Sequence, residues 1–320
     1  MKLHHDVEVF KELTQATAQD LGVPTFYIEK DYWVTQCLKQ IANDHELSEC
    51  TIFKGGTALS KVHGIIQRFS EDCDFAVTEK IYGDTQTQCK KTLKKIQDIS
   101  RSHPDINKVE KKTEEISGNQ EFKRFCTYNA LFPFPRNEYS QSREEIIIEV
   151  NSFGVPRPYK KHEVMSYIAK FCFQNQQSLI EQYDLGPFML YVIEPERAFL
   201  DKVIAIQKAF FKYENNERKE RDWFISKMRH LYDIAKLVEI NSVKVVLKNL
   251  QYELEEVIKN DSGKCTVDEI KRSDLYSNPH TVLKSFANDW QRLTPMLYKK
   301  EKLPSIEEIG TVLELIKKSL

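Results

Sequence analysis

Residues 54–77, KGGTALSKVHGIIQRFSEDCDFAV, constrain the fold more than any other stretch. Ile52 and Phe53 read as a short strand running into Gly55-Gly56-Thr57. A glycine pair lets the backbone turn sharply and approach a ligand closely. From Ala58 to Gln67, the spacing of Leu59, Val62, Ile65 and Ile66 predicts a helix with one mainly apolar face. The first N–H groups of a helix have no intrahelical partner, so such a start suits phosphate oxygens. Asp72-Cys73-Asp74 then opens an alternating segment. Strand residues two apart share a face, which puts Asp72 and Asp74 together and Cys73 opposite. Two carboxylates on one face repel unless something positive sits between them. Mg2+ with a nucleoside triphosphate meets that need.

The 320 residues are enough for two domains and a sizeable core. A content of 41% hydrophobic and 30% charged residues is that of a soluble globular protein. With a net charge of −1, a polyanion site has to come from local patches. The seven cysteines form no CxxC pair and no nearby Cys/His ligand spacing. Reduced cytosolic thiols fit that pattern better than structural zinc. MKLHHDVEVF has no signal-peptide apolar run, and no stretch approaches the ~20 apolar residues of a membrane span. The expected location is cytoplasmic, with no membrane partner.

Residues 6–47 predict two helices separated by Gly22-Val23-Pro24, with Thr25 as a cap for the second. Glu29, Lys30 and Asp31 on the second helix either shape a site entrance or form a solvated charged turn. Residues 84–101 predict an amphipathic helix with Leu93, Ile96 and Ile99 inside and Lys90, Lys91, Lys94 and Lys95 on the polar side. Such lysines are usually a solvated face, and the competing reading is an RNA backbone contact. Two strands joined near Ser117-Gly118-Asn119 follow, then a loop over 132–144 and a buried strand at 146–150. Glu149 places a charge in that strand, with Glu144 and Glu145 at its start. After the Pro-rich residues 155–160, a helix is expected over 162–174 and a strand over 188–193. Pro195 suits a helix N1 position, and Leu200, Val203, Ile206 and Phe210 mark the buried stripe. Lys202 beside that stripe reads either as a snorkelling lysine or as a phosphate ligand. Arg229 and Asp233 are four apart, on one helix face. Residues 212–224 are a charged connection that could act as a flap, and from 241 onward the chain reads as helical.

The match to G-x-x-x-x-G-K-[ST] fails, which excludes an ordinary P-loop. Gly55, Gly56, Thr57, Leu59 and Lys61, followed by Arg68, Ser70, Asp72 and Asp74, resemble the signature of the AbiEii/AbiGii toxin family within the polymerase beta nucleotidyltransferase superfamily. The resemblance continues through IEKDYWV at 28–34, Glu196 and Lys202 after Pro195, and Arg229-His230-Leu231-Tyr232-Asp233. His230 departs from the acid that is frequent there.

The resemblance implies an α+β protein: a nucleotidyltransferase domain with a small mixed sheet over 1–195, and a helical domain closing the cleft over 196–320. It implies Asp72 and Asp74 as ligands of Mg2+ or Mn2+. Glu149 is the candidate third carboxylate, against the alternative of an edge residue facing solvent. Gly55, Gly56 and Thr57 would cradle the phosphates of an NTP, with Lys61, Arg68, Ser70, Lys202 and Arg229 around it and Asp233 facing the nucleotide. The implied reaction is nucleotidyl transfer to RNA, with a tRNA 3′ end as the leading acceptor and a cognate antitoxin as a partner. A nucleotidyltransferase acting on a small molecule or a protein hydroxyl stays open, as does a nucleotide-binding module without turnover.

Overall fold

The computed structural model describes residues 1–77, 85–100, 102–108, 115–134, 144–216, 220–260, 265–298 and 300–320. The chain divides into two units, Met1–Ile193 with Tyr298–Glu301, and Glu194–Leu297 with Lys302–Leu320.

Among the described residues, the first unit is built on an eight-stranded mixed sheet. Its strands are β1 Thr51–Lys54, β2 Asp72–Val77, β3 Ile106–Lys108, β4 Ile116–Ser117, β5 Glu121–Tyr128, β6 Ile146–Asn151, β7 Tyr159–Val164 and β8 Phe188–Ile193. The order is β3-β5-β6-β2-β1-β8-β7, with β4 also paired to β5. The central pairs β2–β6 and β1–β8 are parallel, and β1–β2 is antiparallel. Phe53, Phe75, Ile148 and Val150 are buried, and strand alternation puts them on the face that also carries Cys73. Helix α2 (Thr25–Asn43) covers that face, and the Cys73 thiol lies 3.9 Å from the Val34 carbonyl oxygen.

Helix α1 (Val7–Leu21) begins at Asp6, whose carboxylate accepts from the Val9 N–H, and ends at Gly22 in the left-handed region. Helix α2 (Thr25–Asn43) starts after Pro24 in extended backbone, so Thr25 is its first residue and not its cap. All of its residues from Phe26 to Leu38 are buried, including three consecutive charged ones. Helix α3 spans His45–Cys50.

Helix α4 is Gly55–Lys61 and not the expected 58–67. The glycines form its first turn, with Gly55 at φ 80°, and Gly64 at φ 64° lies beyond its end. Ile66 is fully buried in the irregular segment that follows. The apolar spacing there reports burial without helix.

Helix α5 is Gln86–Ser100, with Leu93 and Ile96 buried and Ile99 half-buried. Lys90, Lys91 and Lys94 are exposed, while Lys95 pairs with Asp44 and Glu46. Most of residues 108–112 and of the expected loop over 132–144 lie outside the described residues.

The helix expected over 162–174 is a strand and a shorter helix. Residues His162–Val164 belong to β7, which pairs antiparallel with β8. Helix α6 (Tyr167–Asn175) starts where the Ser166 hydroxyl accepts from the Ala169 N–H. Pairing with β8 overrides the helical spacing up to that cap. Helix α7 is Ser178–Gln182.

The second unit is helical among its described residues. Helix α8 (Pro195–Asn216) buries Leu200, Val203, Ile206 and Phe210 as expected. Helices α9 (Arg221–Lys227) and α10 (Arg229–Leu237) follow, while residues 217–219 of the expected flap lie outside the described residues. Trp290 is buried, and its indole N–H donates to the Pro304 carbonyl at 2.8 Å. The last helix, Ile306–Ser319, opens with a capping box between Ser305 and Glu308. All seven cysteines are buried thiols. No helix of the described residues is long and apolar enough to cross a membrane.

Candidate active site

Strand register assembles a row of charge across the sheet. Lys54 of β1 faces Asp74 of β2, Asp74 faces Glu149 of β6, and Glu149 faces Lys123 of β5. Paired residues in neighbouring strands point to the same side, so these four side chains share one face. Asp72 lies two residues from Asp74 and joins them there. Lys123 donates to Glu149 at 2.7 Å, so one of the three carboxylates is already balanced. Glu149 lies in an inner strand and is not an edge residue.

The glycines belong to this row through close approach. A Cβ on Gly55 would lie 2.1 Å from Asp74 Oδ2, and one on Gly56 would lie 2.7 Å from Ser70 Oγ and 2.9 Å from an Arg68 guanidinium nitrogen. Gly55 also holds a φ of 80°, which L side chains rarely adopt. The Thr57 hydroxyl donates to Ser70 Oγ at 3.1 Å. Arg68 is buried beside the first turn of α4 and donates to the Phe69 carbonyl at 3.0 Å. The first turn of α4, the Arg68–Ser70 segment and Asp74 are thus one packed unit.

Glu29, Lys30 and Asp31 of α2 form neither an entrance nor a solvated turn. All three are buried. Successive helix residues point about 100° apart, and each of these reaches a different segment. Glu29 accepts from the Leu131 and Phe132 N–H groups at 2.7 and 3.0 Å. Burial raises the Glu29 pKa, opposed by those two donors. Lys30 pairs with buried Glu71, next to Asp72, at 2.7 Å. Asp31 accepts from Lys61 at 2.5 Å and from the Tyr167 N–H at 2.8 Å.

Lys61 was expected at the triphosphate, and the structure uses it differently. Its ammonium is buried and donates to Asp31, to Thr35 Oγ1 at 2.8 Å and to the Met165 carbonyl at 3.3 Å. An ammonium has three donors, and all three are engaged.

In the second unit Lys202 pairs with Asp233 at 2.6 Å, and both are buried. His230 Nδ1 lies 3.4 Å from the Lys202 ammonium. Burial and the Lys202 charge hold the His230 pKa well below its ordinary value, so the ring is neutral and Nδ1 can accept from the lysine. Glu196 accepts from the Ser242 hydroxyl at 2.8 Å, and Arg229 is half-buried.

Residues 36–312 match the family model of the nucleotidyl transferase AbiEii toxin of type IV toxin–antitoxin systems. The chain belongs to the AbiEii family. Its reaction class is therefore nucleotidyl transfer, and the α+β architecture is the one expected. No curated protein matches the chain. The match begins after residues 28–34, so the buried clamps Glu29, Lys30 and Asp31 precede the matched span.

Sequence reasoning missed Glu71, Lys54 and Lys123 as neighbours of the AbiEii carboxylates. Alternation carried part of the signal. Glu71 shares the parity of Cys73 and so points toward α2, and Lys54 has the opposite parity to Phe53. Lys123 needed the β5–β6 register, which no local pattern gives. The donor set of Asp72, Asp74 and Glu149 is made of carboxylate oxygens, which suit Mg2+ or Mn2+. With no Cβ on Gly55, Asp74 Oδ2 sits directly against the backbone at the start of α4.

Proposed function

We propose that this AbiEii protein transfers a nucleotidyl group from an NTP to an RNA 3′ end, with tRNA as the acceptor: the 3′ oxygen bonds to the α-phosphorus as the α–β phosphoanhydride bond breaks, and pyrophosphate leaves. The carrying observation is the Lys54–Asp74–Glu149–Lys123 row with the Gly55 backbone pressed against Asp74. Asp72, Asp74 and Glu149 would hold Mg2+ or Mn2+, and a divalent cation there supplies charge neutralisation at the phosphates. The α4 N–H groups of Gly55, Gly56 and Thr57 orient the β- and γ-phosphates. Arg68 and Ser70 fix that turn from behind. Glu149, held by Lys123, is the base that accepts the acceptor hydroxyl proton. The exposed lysines of α5, Lys90, Lys91 and Lys94, supply contacts to an RNA backbone. Family membership supports a cognate antitoxin as a partner that restrains the enzyme.

The test supplies each labelled NTP with total RNA, then with a pool of small molecules and proteins. Label at RNA 3′ ends is expected, with RNA binding that weakens by about one log unit per log unit of salt for each phosphate contact. Label confined to the second pool would overturn the RNA acceptor and leave nucleotidyl transfer standing. Label in neither pool, with metal–NTP binding intact, would favour a binding module without turnover.

In the same reading Lys202 is a triphosphate counter-charge and Asp233 anchors its ammonium. Lys202→Ala is expected to weaken NTP affinity roughly tenfold to a hundredfold, the ~1.5–3 kcal/mol of a charged hydrogen bond. The substitution also leaves Asp233 buried without that partner. Lys202→Met with Asp233→Leu removes both charges and restores the fold for comparison. Unchanged NTP affinity in either folded variant would make Lys202 a purely structural residue.

A further inference from the structure

The N-terminal turn and the segment after α5 bring three imidazoles around one carboxylate, away from the carboxylate row. His4 Nε2 lies 3.0 Å from Asp105 Oδ2, His5 Nε2 lies 3.7 Å from the same oxygen, and His103 Nδ1 lies 3.8 Å from it. Ligand atoms of His4, His5 and Asp105 all lie within 4.8 Å of one another. We propose that His4, His5 and Asp105 form a binding site for a borderline divalent cation of the Zn2+ class, separate from the nucleotidyl-transfer site.

The spacing fits such an ion. Zn–N and Zn–O bonds of about 2.0–2.1 Å in a tetrahedron set neighbouring ligands roughly 3.3 Å apart. The two distances from Asp105 Oδ2, 3.0 and 3.7 Å, fall on either side of that edge. Two imidazoles and one carboxylate favour Zn2+, Ni2+ or Cu2+ over Mg2+ or Ca2+, which take mostly oxygen.

A metal-binding imidazole usually hands its other ring nitrogen to a fixed partner. His4 has one: its Nδ1 lies 2.7 Å from the Tyr32 hydroxyl, and its ring packs 4.7 Å from Trp33. Without an ion, His4 Nε2–H donates to Asp105 Oδ2 at 3.0 Å and Nδ1 accepts from the Tyr32 hydroxyl; moving the proton to Nδ1 frees the Nε2 lone pair for the ion. His5 keeps 52% of its side-chain surface exposed, which leaves a way in for the ion. His103 Nδ1 accepts from the Asp105 N–H at 3.2 Å, so this ring positions Asp105 and leaves the fourth place to water.

A search for ligand spacing along the chain cannot find this site. Residues 4 and 105 are a hundred positions apart, and cysteine, the usual marker, is absent from it.

The test is calorimetric titration of the full chain with Zn2+ alone, repeated in excess Mg2+ and with the variants His5→Ala and Asp105→Asn. His5 is exposed, so its loss does not threaten the fold. One-to-one binding that Mg2+ does not displace is expected, with affinity falling more than tenfold in each variant. Zn2+ should raise the melting temperature of the wild type by mass action and leave that of His5→Ala unchanged. Absent binding in the wild type, or equal affinity in the wild type and both variants, would overturn the site. Asp72→Ala serves as a control and should leave Zn2+ affinity intact. Loss of Zn2+ binding in that variant alone would place the ion at the carboxylate row and overturn the proposal.

Discussion

Asp74→Ala is expected to reduce nucleotidyl transfer on the order of a thousandfold or more while the protein stays folded. Charge stabilisation at a metal-held phosphate is worth several kcal/mol, and each ~1.4 kcal/mol is tenfold in rate. Asp74 stands between Lys54 and Glu149 in the row, and its Oδ2 lies against the Gly55 backbone. Asp72→Ala is expected to behave alike, because both carboxylates are on one face of β2. The measurement is metal-dependent NTP binding and single-turnover transfer, with circular dichroism as the control for folding. Intact metal–NTP binding in both variants would remove this row from the active site.

Gly55→Ala separates the role of shape from that of charge. Gly55 and Gly64 both hold positive φ, so alanine at either carries a similar backbone cost of about 1–2 kcal/mol. Only at Gly55 does the new methyl meet Asp74 Oδ2; at Gly64 it meets nothing within 4 Å. Gly55→Ala should therefore lose more stability than Gly64→Ala, and among folded molecules transfer should fall steeply in Gly55→Ala and little in Gly64→Ala. Equal activity in the two would mean that the Gly55–Asp74 approach does not matter to the chemistry.

The parts of this site that were legible in the sequence are those set by strand parity. Alternation alone puts Asp72 and Asp74 on one face and Cys73 on the other, and the structure has the thiol under α2. The strand at 146–150 was readable from its β-branched run, yet its pairing with β2, which brings Glu149 beside Asp74, is a long-range register. The helix at 58–67 failed for a physical reason. Gly55 and Gly56 lack side chains because Asp74, Ser70 and Arg68 crowd them, and Gly55 also holds a positive φ, yet both lie in the first turn of α4 and not before it. Glycine as a mark of close approach and glycine as a mark of a turn look the same in a sequence. The charges of α2 were illegible for a similar reason. Three adjacent ionic residues read as solvated surface, because their partners Leu131, Glu71 and Lys61 are thirty to a hundred residues away.

Lys61→Met is expected to destabilise the first unit by about 3–5 kcal/mol, the cost of breaking a buried ion pair from one side. It would leave the Asp31 carboxylate buried with the Tyr167 N–H, and would take a donor from Thr35 and from the Met165 carbonyl. For a unit of this size the fall in melting temperature is on the order of 10 °C. Adding Asp31→Asn removes the stranded charge and should recover most of that loss, since replacing both partners costs far less than removing one. The double variant then decides what Lys61 is for. If the lysine holds α4 to α2, a folded double variant keeps its NTP affinity within about threefold, because the first turn of α4 stays packed on Ser70 and Arg68. If affinity drops tenfold or more in a variant whose melting temperature has recovered, about 1.4 kcal/mol or more of binding has gone with the ammonium. Lys61 would then have to leave Asp31 for the phosphates when nucleotide binds.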